Sequence, residues 1–303
     1  MAIPDYQSLM LPLMRLAADE DEHRLSEAVE TLAAQLGLTL EERNERLPSG
    51  VQPKFDNRVG WARTYLTKAG LLESTGRGKF RITMRGKQVL RGEPAVIDVQ
   101  FLKQFPEFLG FIGKSQDLGE HRGSESDPEV TSTPEEVLAS SYLELRRSLA
   151  HDLLQRVKQC SPKFFERLVV ELVVAMGYGG SIEDAGRAIG RSGDGGVDGI
   201  IKEDRLGLDV VYLQAKRWEG TVGRPVVQAF AGSLEGHRAR KGILITTSQF
   251  SSDAQEYVTR IEKKIVLIDG EHLANLMIDF NVGVTEAARY VVKRIDNDYF
   301  DEA

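Results

Sequence analysis

Asp198, Gln214 and Lys216 are the residues of this 303-residue chain whose types and spacing best suit chemistry. They lie in the run GRSGDGGVDGIIKEDRLGLDVVYLQAKRW, Gly190 to Trp218. Asp198 opens one expected strand and a Gln-x-Lys triplet closes the next. Side chains two apart on a strand point the same way, so Gln214 and Lys216 share a face. A hairpin through Lys202 to Gly207 brings Asp198 beside them. One acid, one amide oxygen and one ammonium then converge at a sheet surface, a set that suits a magnesium ion and a phosphodiester.

Hydrolysing such an ester requires charge neutralisation on the phosphate, an activated water in line, and stabilisation of the leaving oxygen. Magnesium takes oxygen ligands and keeps several waters, so one or two carboxylates and a carbonyl suffice. Asp198 is the expected principal ligand, with the Gln214 side-chain oxygen and the Ala215 carbonyl completing the protein share. Lys216 orients or deprotonates the water and offsets developing charge. Glycines at 193, 195 and 196 let a nucleic-acid backbone approach closely. Two further residues stay open on the sequence: Asp194 is a second acid or a turn residue, and Gln228 is a water or phosphate contact or a helix-surface glutamine. Asp-x(n)-Gln-x-Lys alone is a weak pattern. Its place at the ends of adjacent strands, after a Gly-rich turn, is what raises it above chance.

Those residues need a scaffold. Ser161-Pro162 caps an expected helix to Met176, with Phe165, Leu168, Val169, Leu172 and Met176 as its apolar stripe. On a wheel of ~100° per residue, Glu166 falls at the stripe's edge and Glu171 opposite, so Glu166 either reaches the interior site or is an ordinary helix flank. Beyond the motif strands come a helix from Arg224 to about His237, a strand Gly242 to Thr246, a helix Ser252 to Lys263 and a strand Ile265 to Asp269. Helices near Glu271 to Phe280 and Thr285 to Ile295 follow. The pattern is an α/β sheet with helices on its faces.

The first hundred residues read differently: helices over Tyr6 to Ala17, Leu25 to Leu36 and Asn57 to Ala69, then a two-stranded hairpin over Leu71 to Thr83. Three helices and a basic wing describe a winged helix-turn-helix. Its third helix enters the major groove, and its wing touches the backbone or minor groove. Between Lys54 and Arg91, ten basic residues face two acids, although the whole chain carries a net charge of −7. Asn57, Arg58, Arg63, Thr64 and Lys68 on the helix, and Arg77, Lys79 and Arg81 on the wing, are the candidate DNA contacts. A solvated charged face is the competing reading for each. Trp61 reads as a core or interface aromatic. The domains are then 1–95, a connection 96–133 whose Gly113 to Thr133 stretch is Ser-, Gly- and acid-rich, and 134–303. Thr133-Pro134-Glu135-Glu136 is a capping box starting a helix to about Lys158.

Composition narrows the class. With 41% hydrophobic and 28% charged residues the chain is ordinary and water-compatible. No signal peptide or membrane span is expected. A single cysteine, Cys160, fits a reducing, cytoplasmic compartment. The five histidines lack metal-ligand spacing. The absence of GxxxxGK[ST] argues against a nucleotide triphosphate.

The run from Phe164-Phe165-Glu166 through GYGG, GDGGVDG, YLQAKRW, VGRP, Gln228-Ala229-Phe230 and ILITTSQF resembles the catalytic domain of Mrr-type restriction endonucleases, in the PD-(D/E)xK nuclease superfamily. The N-terminal part resembles the winged-helix domain preceding it in that family. The resemblance implies an αβββαβ core, with Asp198, Gln214 and Lys216 in the places of the catalytic Asp, the Gln or Glu, and the Lys. Glu166 matches the assisting helix-borne glutamate. It implies a magnesium-dependent endonuclease that restricts modified, typically methylated, double-stranded DNA and works as a homodimer or larger homo-oligomer. The departure from the superfamily pattern is Gln214, an amide where an acid is usual. A DNA-binding regulator without cleavage activity and a repair nuclease for branched or damaged DNA are the alternatives.

Overall fold

The computed structural model of the chain describes residues 2–116, 131–179, 197–203, 209–293 and 295. It divides into two compact units, Met1–Glu144 with Arg294–Ala303, and Leu145–Lys293.

In the first unit the order is α1 (Met10–Leu16), β1 (His23–Arg24), α2 (Leu25–Gln35), α3 (Leu40–Asn44), α4 (Lys54–Lys68), β2 (Leu72–Gly76) and β3 (Lys79–Ile82). Its antiparallel sheet runs β1-β3-β2. This is a winged helix with one strand, His23 paired to Phe80, too short to leave a period in the sequence. The helices form because each buries an apolar stripe: Phe55, Val59, Ala62 and Leu66 of α4 are fully buried. Gly70 stops α4 at φ +70°, in the left-handed region where a Cβ is costly.

The expected connection 96–133 is corrected by the helices beyond β3. Helices α5 (Met84–Arg91), α6 (Val99–Leu102) and α7 (Pro106–Gln116) continue the domain, and Ile97, Leu102 and Phe108 are fully buried in its core. The cause is aromatic. Tyr65 of α4 stacks against Phe108 and Phe111 at ring-centre distances of 5.4 and 5.9 Å, closing the side of the helix that a free linker would leave wet. The acid-rich remainder, 117–130, lies outside the described residues.

Helix α8 (Pro134–Gln159) begins with the anticipated capping box, the Glu136 carboxylate accepting from Thr133 N–H at 2.8 Å and Thr133 Oγ1 from Glu136 N–H at 3.3 Å. From Leu145 onward it belongs to the second unit. Next come α9 (Pro162–Ala175), β4 (Gly199–Lys202), β5 (Val210–Lys216), α10 (Arg224–Gly236), β6 (Lys241–Thr246), α11 (Ser252–Arg260), β7 (Lys264–Ile268) and α12 (Gly270–Asp279). The sheet order is β4-β5-β6-β7, antiparallel between β4 and β5 and parallel thereafter. Strand alternation feeds two cores. Val211, Leu213, Ile243 and Ile245 meet α9 and α12, whereas Tyr212 and Leu244 meet Phe230 and Leu234 of α10. Gly242 is required here, since a Cβ would stand 2.8 Å from the Phe230 ring. The stretch 180–196, where the αβββαβ pattern calls for another strand, and the hairpin turn 204–208 lie outside the described residues.

The helix expected over Thr285 to Ile295 is absent among the described residues of that stretch, and Tyr290, Val291, Val292 and Ile295 are 70–85% exposed. The apolar stripe of Ala288, Val291, Val292 and Ile295 is covered by nothing among the described residues, and a segment this short does not hold a helix without packing.

Candidate active site

Four elements of the second unit present the site. Ser161 caps α9 by accepting the Phe164 N–H at 3.2 Å, and burial of Phe165, Leu168, Val169 and Leu172 sets the rotation of that helix. Glu166 is thereby held at the edge of the core while Glu171 is exposed, as the wheel requires.

Asp198 sits where β4 leaves its register. The ladder pairs Gly199 with Leu213, yet the Asp198 N–H also goes to the Leu213 carbonyl at 2.8 Å. Val197 packs in the α10-side core although Gly199, two residues on, opposes Leu213 of the other face. The alternation therefore shifts phase at Asp198, which is how a bulge re-aims one side chain. Its carboxylate turns onto β5 and accepts the Ala215 N–H through Oδ2 at 2.7 Å, between Gln214 and Lys216. Gln214 is only 5% exposed. Lys216 ends the strand, its carbonyl accepting Thr246 Oγ1–H at 2.8 Å from neighbouring β6.

Electrostatics tie the helix to the strands. The Glu166 carboxyl is held above the ordinary glutamate range, first by burial and then by the negative charge of Asp198; the Lys216 and Lys163 ammonium groups oppose the shift. Asp198 and Lys216 are thus both close enough to act on Glu166. Lys163, three residues before Glu166 on the same helix, escaped the sequence reading, though i, i+3 spacing signals it.

The donor set is two interacting carboxylates, a buried amide and strand carbonyls. Among the described residues no group of three or more His, Cys, Asp or Glu could hold a metal, which excludes a closed nitrogen- and sulfur-ligand centre there. Oxygen donors with only one or two carboxylates fit a hard divalent cation that keeps most of its water. Asp194 lies outside the described residues. Gln228 is exposed on α10, whose buried residues are Val227, Phe230, Ala231 and Leu234.

A family model described as a restriction endonuclease catalytic domain matches residues 157–277, and the Mrr N-terminal domain matches residues 6–92. The type IV methyl-directed restriction enzyme EcoKMrr of Escherichia coli (strain K12) is 39% identical over 308 aligned positions, spanning 99% of this chain and 100% of that protein. This chain belongs to the Mrr restriction endonuclease family. The solved structure of the MspJI restriction endonuclease with a 27-mer oligonucleotide is 25% identical over 54% of this chain and 36% of that one, with a TM-score of 0.27. PD-(D/E)xK endonucleases such as the Mrr family use a divalent metal and bind DNA. Among the described residues no helix is long and apolar enough to cross a membrane.

In the Mrr-type N-terminal domain the fold redistributes the candidate DNA contacts. Two need correction. Asn57 is 5% exposed and its Oδ1 accepts Thr133 Oγ1–H at 2.6 Å. Arg58 points inward: Nε and Nη2 reach Glu136 Oε1 at 3.0 and 2.9 Å, and Nη1 donates to the Ile3 and Pro4 carbonyls at 2.6 and 3.0 Å. The wheel placed both off the apolar stripe, but the start of α8 packs on that face. Trp61 joins them, its Nε1–H donating to Glu135 at 2.5 Å. Arg63 lies under the wing near Ser74 Oγ and the Lys79 carbonyl, 3.4 and 3.5 Å away. Thr64 Oγ1 donates to the Gly60 carbonyl at 2.9 Å. Lys68 is exposed, its ammonium 5.5 Å from the Phe111 ring centre.

On the wing Arg77 is exposed, Lys79 pairs with Glu22 at 2.6 Å and Arg81 with Glu73 at 2.7 Å. Lys54, Arg85 and Lys87 find Glu45, Glu107 and Glu20 in the same way. The basic excess of the segment is therefore largely answered by acids from elsewhere in the domain.

Proposed function

We propose that this chain is a magnesium-dependent endodeoxyribonuclease that restricts modified, methylated double-stranded DNA. The observation that carries this reading is the Asp198 carboxylate, anchored on the Ala215 N–H between Gln214 and Lys216 and electrostatically coupled to Glu166. The methyl-directed character of the Escherichia coli relative supports the substrate.

Asp198, the Gln214 side-chain oxygen and the Ala215 carbonyl would hold the cation, with Glu166 assisting. When bound, magnesium supplies charge neutralisation on the scissile phosphate and lowers the pKa of a bound water. The residues do the rest. The Ala215 N–H fixes one Asp198 oxygen and leaves the second directed to a ligand. Lys216 orients the attacking water and offsets charge on the phosphate. Gln214 adds an oxygen without adding charge, so the burden of negative charge falls on Asp198 and Glu166.

The wing supplies backbone contacts through Arg77, Lys79 and Arg81. Exposed ion pairs such as Lys79–Glu22 and Arg81–Glu73 are screened by solvent, so exchanging either acid for a phosphate costs little. Cutting both strands takes two sites, so the working form is a homodimer or larger homo-oligomer; it needs no nucleotide triphosphate and acts in the cytoplasm.

The test is a cleavage assay in magnesium with methylated, unmethylated and branched duplexes competing. Methylated duplex is expected to be cut preferentially, and D198A or K216A to abolish cleavage with binding retained. Undiminished cleavage by D198A would overturn the site. Preference for the branched duplex would turn the assignment to repair, and binding without cleavage by the unsubstituted chain would leave a regulator.

A further inference from the structure

A cavity of about 470 Å³ opens beside the end of β5, lined by Lys158, Arg217, Trp218, Glu219, Gly220 and Thr247. Its wall is built on main chain. Thr247 Oγ1 donates to the Trp218 carbonyl at 2.9 Å, Ser248 Oγ to the Glu219 carbonyl at 3.3 Å, and Arg217 Nη1 to the Lys158 carbonyl at 2.8 Å. The segment after Lys216 is thus tied to the end of β6 and to the end of α8, and its side chains are presented from a fixed backbone. Trp218 is 43% exposed and belongs to none of the hydrophobic cores among the described residues. A part-exposed indole on a pinned loop, in a cavity that Lys158 and Arg217 also line, calls for a ligand with an aromatic face and negative charge.

The spacing indicates which one. Trp218 follows Lys216 by two residues just past the end of β5, at most ~7 Å of chain at the ~3.4 Å per residue of a fully extended backbone. That equals about two base steps at ~3.4 Å along one DNA strand. We propose that this cavity holds a nucleotide within about two steps of the scissile phosphate on the same strand, its unstacked base lying on the Trp218 indole and its phosphate taken by Lys158 and Arg217. Glu219 on the same lining repels a phosphate, which orients the nucleotide. Stacking on an aromatic platform beside a basic groove tolerates any base, so this subsite positions the strand and leaves sequence choice to other parts of the chain. The inference deepens the nuclease reading and rests on it.

The experiment uses the full chain carrying D198A, so that binding is read without cleavage. The probes are a single-stranded oligothymidylate and an abasic oligonucleotide of equal length. D198A is expected to bind the thymidylate about tenfold tighter than the abasic strand, equivalent to ~1.4 kcal/mol, and to show tryptophan quenching that vanishes in D198A/W218F. In D198A/W218A the two probes should bind alike. In the otherwise unsubstituted enzyme W218A should raise KM about tenfold with kcat within about twofold. Equal discrimination between the probes with and without Trp218 would overturn the subsite even if the enzyme cleaves. If the unsubstituted chain fails to cleave while the quenching and the probe discrimination persist, the nuclease reading alone falls.

Discussion

Arg58 separates two physical pictures of the N-terminal domain, and replacing it with alanine decides between them. In the structure its side chain is 12% exposed and that of Glu136 is 8% exposed, with two guanidinium nitrogens on one carboxylate oxygen. Removing one partner of such a buried pair costs ~3–5 kcal/mol, because the other charge stays behind without compensation. Glu136 keeps the Thr133 N–H, which softens the loss, while the Ile3 and Pro4 carbonyls lose their donor. The expected result is therefore ~3 kcal/mol, a large share of the ~5–15 kcal/mol that holds a domain folded. Urea unfolding followed by fluorescence reads it, since Trp61 donates to the adjacent Glu135. A salt titration of DNA affinity supplies the other half. A phosphate-contacting arginine removed from the interface lowers the slope of log K against log salt by ~0.9, whereas an internal brace leaves it unchanged. If R58A lowers the salt slope by about one and destabilises the domain by less than ~1 kcal/mol, Arg58 faces DNA and the packing argument fails.

Other expectations rest on the same logic. Phe108→Ala should destabilise the N-terminal domain by ~3–5 kcal/mol, because Phe108 is fully buried; a loss below ~1 kcal/mol on urea unfolding would return residues 97–116 to linker status. Gly242→Ala should cost ~1–3 kcal/mol through overpacking against Phe230 and Leu234, read as a lower thermal midpoint for the second unit. Gln214→Glu should lower the magnesium concentration at half-maximal cleavage several-fold by adding a second charged strand ligand; an unchanged midpoint would show that Gln214 stands clear of the cation. For Glu166→Gln the sign can be worked out in EDTA. The folded-state carboxyl is raised above its ordinary value of 4.5, so the native chain loses stability as pH climbs through the raised value and the amide does not. The stability gain of E166Q should thus be small below the ordinary glutamate value and grow as pH rises through the raised one; a pH-independent difference would refute the desolvated site.

Local signals carried much of this protein. The capping box at Thr133, the serine cap at Ser161, the 3.6-residue stripes of α4 and α9, and the apolar run Val210–Leu213 are each short-range constraints that the chain satisfies with its own neighbours. The pairing of Gly199–Lys202 with Val210–Leu213 needs only a hairpin. Placing Asp198 beside the Gln-x-Lys triplet needs no more than that. The direction of the Asp198 carboxylate is a different matter, because it depends on a phase shift in the ladder and on the N–H of Ala215, seventeen residues on.

Burial of charge was the other decision left to the tertiary structure. Nothing local distinguishes Arg58, turned onto Glu136 seventy-eight residues on, from Arg81, exposed on the wing beside Glu73. A helix wheel reports which face is polar and says nothing about which element will cover it. The same gap explains why residues 97–116 resemble a connection in the sequence: Phe108 and Phe111 gain their helix from Tyr65, a partner more than forty positions earlier. Sequence determined most of the elements and which side chains are candidates for the site, since those depend on neighbours along the chain. Only the packed fold decided which charges face solvent, because that depends on contacts between residues far apart in the chain.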